Sequence, residues 1–142
     1  KPAFQLKNFF VKQLATITKK MHENGINHRD LYFCHILLSK NITEQNFQNV
    51  KLHLIDLHRV QIRKRIPKRW LIKDLGSLYF SAIHMNISIK DKLRFLKLYT
   101  EQPLREVIEQ NATYWDQVAK RGMSLHHKAC QSIPGYLEEV LQ

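Results

Sequence analysis

The chain has 142 residues, of which 44% are hydrophobic, so it can bury the core of one domain and is too apolar for a disordered tail. Its 23 Lys and Arg against 12 Asp and Glu give a formal net charge of +11, which favours an acidic partner such as a phosphate group, nucleic acid or an anionic membrane surface. Two cysteines, Cys34 and Cys130, exclude a disulfide framework or a four-cysteine zinc site, and no run approaches the roughly 18 apolar residues that cross a bilayer.

The first predicted element is an amphipathic helix over residues 4–23. Its apolar residues recur at intervals that place them on one face of a helix, namely Phe10, Leu14, Ile17 and Met21. Asn24-Gly25 ends this helix, because glycine adopts the left-handed cap conformation without a steric penalty from Cβ.

A short β-hairpin is predicted next. Two apolar segments, Ile36–Leu38 and Leu52–Ile55, flank a polar stretch over 39–50 that is typical of a loop. Residues 57–73 follow without any acidic residue and with Pro67 in their midst. Their basic residues are Arg59, Arg63, Lys64, Arg65, Lys68, Arg69 and Lys73.

The remainder is predicted to be helical. The apolar pattern over 74–85 indicates a buried helix, and Ile89, Leu93 and Leu96 mark another. Pro103 can open a further helix at its first turn, and a last helical stretch covers about 113–129. The predicted fold class is therefore mainly α with a small β-hairpin, in one domain over residues 1–142.

The segment Asn27–His35 carries the clearest chemical motif. Protein kinases place H-R-D-L-x-x-x-N in a catalytic loop between a helix and a short strand. Here His-Arg-Asp-Leu is intact and His35 stands at the Asn position. Asp56 follows the second hairpin strand, where kinases carry the metal-binding Asp of D-F-G. The tripeptide alone is weak evidence, but both motifs in the right context favour a phosphoryl-transfer site.

Phosphoryl transfer requires an acceptor hydroxyl held in line with the γ-phosphate and positive charge at the phosphate oxygens. Asp30 would accept the hydroxyl proton, with the adjacent Arg29 as a second catalytic candidate. Asp56 would hold Mg²⁺ through a carboxylate oxygen. For each aspartate taken alone, a turn or helix-cap role is the alternative.

Several stretches of the chain carry a further signal, namely Ile26–Asp30, Cys34-His35, Ile55–Arg59, Lys73–Leu75 and Leu78–Ser81. They resemble those of the lipopolysaccharide core heptose(I) kinase family, a kinase-like group related to the Kdo kinases, and the resemblance covers about residues 4–105. It implies the C-terminal lobe of a protein-kinase-like fold, and ATP- and Mg²⁺-dependent phosphorylation of the first heptose of the inner core at the cytoplasmic face of the inner membrane. It also implies that Asp30 is the base, that Asp56 and His35 are metal ligands, and that Asp74 accepts hydrogen bonds from the catalytic-loop backbone.

The sequence departs from the kinase pattern at three positions. Tyr32 stands where kinases acting on Ser or Thr carry Lys, so we expect another cation, Arg59 or Arg63, to face the γ-phosphate of ATP. His58 takes the position of the D-F-G glycine. His35 offers nitrogen to a metal that prefers oxygen, and a hydrogen-bonded core histidine is its alternative role.

The basic segment 57–73 also bears on substrate and regulation. It contains no Ser, Thr or Tyr, which excludes activation by phosphorylation of this segment. Its cations suit the anionic groups of a lipopolysaccharide core glycolipid and an anionic membrane surface. An acidic protein docking on the same surface and a merely solvated basic turn are the alternatives.

Two other function classes remain open at this point. A basic nucleic-acid-binding module would account for the charge but not for the two Asp motifs, so nucleic acid is not the expected partner. A kinase-fold interaction protein without catalysis would not need the motif aspartates. The four glycines lie far apart and form no Gly-rich phosphate loop, so we expect the N-terminal nucleotide lobe to be missing and this chain alone to be inactive.

Overall fold

The computed structural model describes residues 2–39, 42–43 and 45–132, and four helices account for most of them. The helices are α1 (Pro2–Glu23), α2 (Lys68–His84), α3 (Ile89–Thr100) and α4 (Leu104–Ser132). Four short strands complete the fold, namely β1 (Ile26–Asn27), β2 (Ile36–Leu38), β3 (Leu52–Leu54) and β4 (Gln61–Ile62). The predicted class, mainly α with a small hairpin, is confirmed.

The strands form two antiparallel pairs. β2 and β3 make the predicted hairpin, with Ile36 opposite Leu54. β1 pairs with β4, with Ile26 opposite Ile62, and the sequence analysis did not predict this pair because each strand has only two residues.

Gly25 joins α1 to β1 at a point of very close backbone approach. Its φ is +76°, its carbonyl accepts the N–H of Arg63 at 2.8 Å, and a Cβ there would lie 1.7 Å from the carbonyl oxygen of Arg63. Glycine is therefore required by both conformation and space.

Helix α2 begins six residues earlier than its apolar pattern indicates. The helix starts directly after Pro67, and its first two residues, Lys68 and Arg69, are basic, so hydrophobic periodicity could not mark the start. As a result Lys68, Arg69 and Lys73 lie on this helix.

The last two predicted helices form one helix, α4, with a non-helical residue at Asn111 (φ −126°, ψ 25°). Helices α2 and α4 pack closely, since a Cβ on Gly122 would lie 2.5 Å from the Tyr79 ring and one on Gly76 would lie 2.5 Å from the Arg121 side chain. Helix α3 starts with Ser88 as its N-cap, whose hydroxyl accepts the N–H of Asp91 at 3.2 Å and donates to the Asp91 carboxylate at 2.6 Å.

The core lies between α1, the hairpin and α2. Met21, Leu31 and Leu78 are buried there, and Leu31 is 0% exposed, so its burial contributes about 1.5–3 kcal/mol and anchors the loop that carries Asp30. An apolar cavity of about 610 Å³ lies beside this core, between the helices and the hairpin. Among the described helices, none has the length and apolarity to cross a membrane.

Candidate active site

The segment between β1 and β2 contains the His28-Arg29-Asp30 motif, and Asp74 of α2 holds its backbone. Asp74 is fully buried, and its two carboxylate oxygens accept the N–H groups of His28 and Arg29, each at 2.8 Å. Hydrogen bonds to a carboxylate are stronger than neutral ones. These are the contacts that the family resemblance implies for Asp74.

His22 extends this network in a way that the sequence analysis did not foresee. Its Nε2 lies 2.9 Å from Asp74 Oδ2 and its Nδ1 lies 2.8 Å from the Tyr99 hydroxyl. Burial raises the pKa of Tyr99, so the phenol remains protonated and can donate to Nδ1 while Nε2–H donates to Asp74. His22 and Asp74 are 52 residues apart, and no local pattern signals such a pair.

Asp30, the predicted base, is paired with Arg59. Arg59 Nη1 donates to Asp30 Oδ1 at 3.0 Å, and the Asp30 side chain is 14% exposed. The preceding residue, Arg29, has φ of +75°, an uncommon conformation for a residue other than glycine. The tightly held backbone fixes the direction of the Asp30 carboxylate and leaves one edge of it accessible.

His28 links the catalytic segment to the second motif. Its Nδ1 accepts the N–H of Asp30 at 3.3 Å, so its Nε2 carries the proton and donates to the carbonyl of Ile55 at 3.0 Å. Ile55 directly precedes Asp56, and His28 is fully buried. A buried imidazole therefore sets the spacing between the two predicted catalytic aspartates.

His35 and Asp56 form the predicted metal pair. His35 Nδ1 donates to the carbonyl of Asp30 at 2.7 Å, which leaves Nε2 directed at Asp56 Oδ2 at 3.2 Å. A lone pair facing a carboxylate requires a cation between them, either a proton or a metal ion. Neighbouring ligands of a Mg²⁺ ion lie about 3 Å apart, so these two residues fit one metal.

The environment of Asp56 is polar and partly solvated. Its φ is +60°, its side chain is 36% exposed, and His58 Nδ1 is hydrogen-bonded to the other carboxylate oxygen. No group of three or more His, Cys, Asp or Glu side chains suited to a metal occurs among the residues that the structure describes.

Arg63, the second predicted phosphate ligand, lies beside Trp70 rather than paired with Asp30. Its guanidinium is hydrogen-bonded to Gln61 and is 5.5 Å from the centre of the Trp70 ring. Three further cations lie at similar distances from this ring: Arg29 at 4.9 Å, Arg69 at 5.2 Å and Lys73 at 5.4 Å.

Lys73 is a second residue whose place in the site the sequence analysis did not foresee. Burial, followed by the charges of Arg59 and Arg29, lowers its pKa, whereas Asp30 opposes that change. Lys73 is therefore within electrostatic reach of the predicted base. The sequence signal for a place in the site was that Lys73 directly precedes Asp74, which the family resemblance places beside the catalytic loop.

Comparison with known proteins identifies several relatives. The model of the lipopolysaccharide kinase (Kdo/WaaP) family matches residues 1–99. The lipopolysaccharide core heptose(I) kinase WaaP of Escherichia coli strain K12 is 44% identical over 112 residues, which are 78% of this chain and 42% of that protein. The protein of the same name from Pseudomonas aeruginosa is 40% identical over 129 residues, which are 89% of this chain and 47% of that one.

A solved structure of WaaP in complex with acyl carrier protein superposes with a TM-score of 0.74 at 41% identity, over 85% of this chain and 50% of that one. The chain thus spans about half the length of the relatives that it matches. Sequence and fold agree, and the resemblance inferred from the motifs is confirmed: this chain belongs to the lipopolysaccharide kinase (Kdo/WaaP) family.

Proposed function

We propose that this chain provides the phosphoryl-transfer site of an ATP-dependent kinase that phosphorylates the first heptose of the lipopolysaccharide inner core. The observation that carries the proposal is the position of His35, which contacts both motifs: Nδ1 binds the carbonyl of Asp30 and Nε2 faces the carboxylate of Asp56. The family of the chain and the names of its relatives support the choice of substrate.

In the proposed reaction Asp30 accepts a hydrogen bond from the acceptor hydroxyl, directs its oxygen at the γ-phosphate and takes its proton. Arg59 holds the Asp30 carboxylate in one orientation before substrate binds. Arg29 contributes its rigid backbone, which Asp74 fixes. His35 and Asp56 would hold Mg²⁺, which when bound neutralises charge on the phosphate oxygens.

The nucleotide requires cations as well as the metal. Arg59 is the better placed of the two predicted phosphate ligands, because its guanidinium already lies 3.0 Å from the reacting carboxylate. Lys73 lies on α2, and its charge interacts with both Arg59 and Asp30. It can therefore act with Arg59 on the nucleotide. Arg63 is 5.5 Å from the Trp70 ring centre, so we assign it to the acceptor rather than to ATP.

The net charge of +11 supports a location at the anionic cytoplasmic face of the inner membrane, where the glycolipid acceptor would be presented. The same charge would suit an acidic protein partner. A structure of a relative contains acyl carrier protein, and we propose a partner of that kind for this chain.

The test is phosphate transfer from ATP to the inner-core glycolipid by the complete gene product. Asp30→Asn and Asp56→Asn should each lower kcat by at least a hundredfold, about 2.7 kcal/mol of transition-state stabilisation. Asp116→Asn is the matched control, since Asp116 is exposed and paired only with Lys120 in the contacts described. An Asp30 or Asp56 variant that kept more than a tenth of the activity would refute the role given to that residue.

A further inference from the structure

Four cations gather around one aromatic ring beside the catalytic segment. We call this group the Trp70 pocket and define it as Trp70 with Arg29, Arg63, Arg69 and Lys73, whose charged groups lie 4.9–5.5 Å from the ring centre. Arg29 comes from the catalytic segment, Arg63 follows β4, and the others lie on α2. Three separate segments of the chain therefore direct positive charge at one place.

Among the described residues, none of the four cations of the Trp70 pocket forms an ion pair with an Asp or Glu side chain. Each cation gains from the face of the indole, but the cations also repel one another: burial, followed by the charges of Arg59 and Arg29, lowers the pKa of Lys73. Asp30 opposes that lowering but is already paired with Arg59. The pocket would therefore gain free energy from an anion.

Two buried donors in the pocket also lack acceptors. Among the described residues, neither the Nε of Arg29 nor the Nε1 of Trp70 has a hydrogen-bond partner, and both atoms are buried. Leaving such a donor unpaired costs about 1–3 kcal/mol. An oxyanion bound among the cations would neutralise part of the surrounding charge.

The anion cannot come from phosphorylation of the neighbouring segment. In many kinases a phosphorylated residue of the activation loop pairs with arginine and orders that loop. Here residues 57–73 contain no Ser, Thr or Tyr and no acidic residue. This segment therefore supplies no counter-charge to the pocket, with or without phosphorylation.

We propose that the Trp70 pocket binds an acidic group of the acceptor, a carboxylate or phosphate on the sugar next to the one that is phosphorylated. This inference rests on the proposed function, and it names the feature of the acceptor that the site recognises. Arg29 and Asp30 are consecutive, so their Cα atoms lie about 3.8 Å apart. If Arg29 and Arg63 hold the anion, a hydroxyl of the sugar next to it would lie near Asp30. Binding of the acceptor would then position that hydroxyl for phosphoryl transfer.

The kinetic test compares Arg63→Gln with Arg105→Gln, an exposed arginine on α4 that pairs with Glu109. It uses the complete gene product and three acceptors: the native core glycolipid, one with its sugar carboxylates amidated, and one treated with phosphatase. With the native acceptor, Arg63→Gln should raise the acceptor KM at least tenfold and leave the ATP KM within twofold. Arg105→Gln should change neither.

The modified acceptors identify the anion. The modification that removes the recognised group should raise the KM of the unsubstituted enzyme tenfold and add nothing to the Arg63→Gln variant. Amidation would identify a carboxylate, and phosphatase treatment a phosphate. If Arg63→Gln is equally impaired with all three acceptors, or not impaired with the native one, the proposal is wrong.

A binding measurement separates this proposal from the kinase assignment. Inorganic phosphate is titrated into the protein while tryptophan fluorescence is recorded. The same titration of the Trp70→Phe variant gives the fluorescence that does not come from Trp70, and the difference between the two is the Trp70 signal. The Trp70 signal should change saturably, with a Kd at least fivefold weaker in Arg63→Gln and unchanged in Arg105→Gln. A saturable change in a protein without kinase activity would refute the proposed function and leave the pocket standing. Active enzyme whose Trp70 signal does not respond, or responds equally in both variants, would overturn the pocket.

Discussion

The carboxylate of Asp74 accepts the backbone N–H of Arg29 at 2.8 Å, across 45 positions of the chain. Arg29 is held there with φ of +75°, which costs a residue with a Cβ about 1–2 kcal/mol. A hydrogen bond to a charged acceptor contributes about 1.5–3 kcal/mol and so can offset that strain. The catalytic segment thus depends on a residue of α2 that follows Arg29 by 45 positions.

Asp74→Asn should therefore both destabilise the protein and slow catalysis. The amide replaces one carboxylate oxygen by NH₂, which would face either the N–H of Arg29 or both the N–H of His28 and the Nε2 of His22, so at least one buried donor is left unpaired. We expect a loss of about 2–4 kcal/mol in the free energy of unfolding, measured by denaturant titration, and at least a tenfold fall in kcat. Normal stability would contradict the buried hydrogen bonds described for Asp74.

Arg59→Met should lower kcat at saturating ATP by tenfold or more, which corresponds to about 1.4 kcal/mol. The substitution keeps the apolar stem but removes the cation that holds Asp30 and that we place near the γ-phosphate. Initial rates at saturating acceptor measure the effect, with Arg105→Met as the matched loss of an exposed arginine. An unchanged kcat would mean that the Arg59–Asp30 ion pair is a surface contact without catalytic value.

Gly25→Ala should disrupt the junction between α1 and β1. The new methyl group would meet the carbonyl oxygen of Arg63 at 1.7 Å, and alanine at φ of +76° adds about 1 kcal/mol of strain. Strand β4 must move away, so we expect a lower melting temperature together with a raised acceptor KM as Arg63 shifts. Asn24→Ala, at the exposed neighbouring position, is the control and should change the acceptor KM little.

Asp91→Asn should destabilise the start of α3 in a pH-dependent way. Burial alone would raise the pKa of Asp91, but hydrogen bonds from Lys7 and Ser88 outweigh it and lower the pKa below its usual 3.8. The carboxylate therefore stabilises the fold above pH 3.8, and this contribution is lost as the pH falls through the lowered value. At neutral pH the variant should lose about 1–2 kcal/mol, as for a lost helix cap. Melting curves of both proteins should converge on acidification, and a constant difference would contradict the ion pair with Lys7.

The sequence predicted those elements whose signal lies in residues close together in the chain. The spacing of Phe10, Leu14, Ile17 and Met21 predicted α1, and the alternation of apolar and polar stretches predicted the β2–β3 hairpin. The motif around Asp30 predicted the catalytic segment because its residue types are consecutive. In each case the information lies within about twenty neighbouring residues.

Contacts between distant segments were not predictable in the same way. His22 belongs to no sequence motif, and its specific role follows only from packing against Asp74 and Tyr99. The start of α2 was not predicted, because its first two residues are charged and carry no apolar periodicity. The Trp70 pocket combines both difficulties, since its cations come from three segments that are separated in the chain.

Helix α2 carries three residues that hold other segments in place. Trp70 is the centre of the Trp70 pocket, Asp74 accepts the N–H groups of His28 and Arg29, and Ser81 accepts the N–H of Phe33. One residue inserted or deleted between Trp70 and Ser81 would rotate the following part of the helix by about 100° and break these contacts together. Loss of a residue from the polar stretch between β2 and β3 would leave them in place. We therefore expect natural variants of this lobe to differ in length in the hairpin loop but to keep the Trp70–Ser81 interval constant.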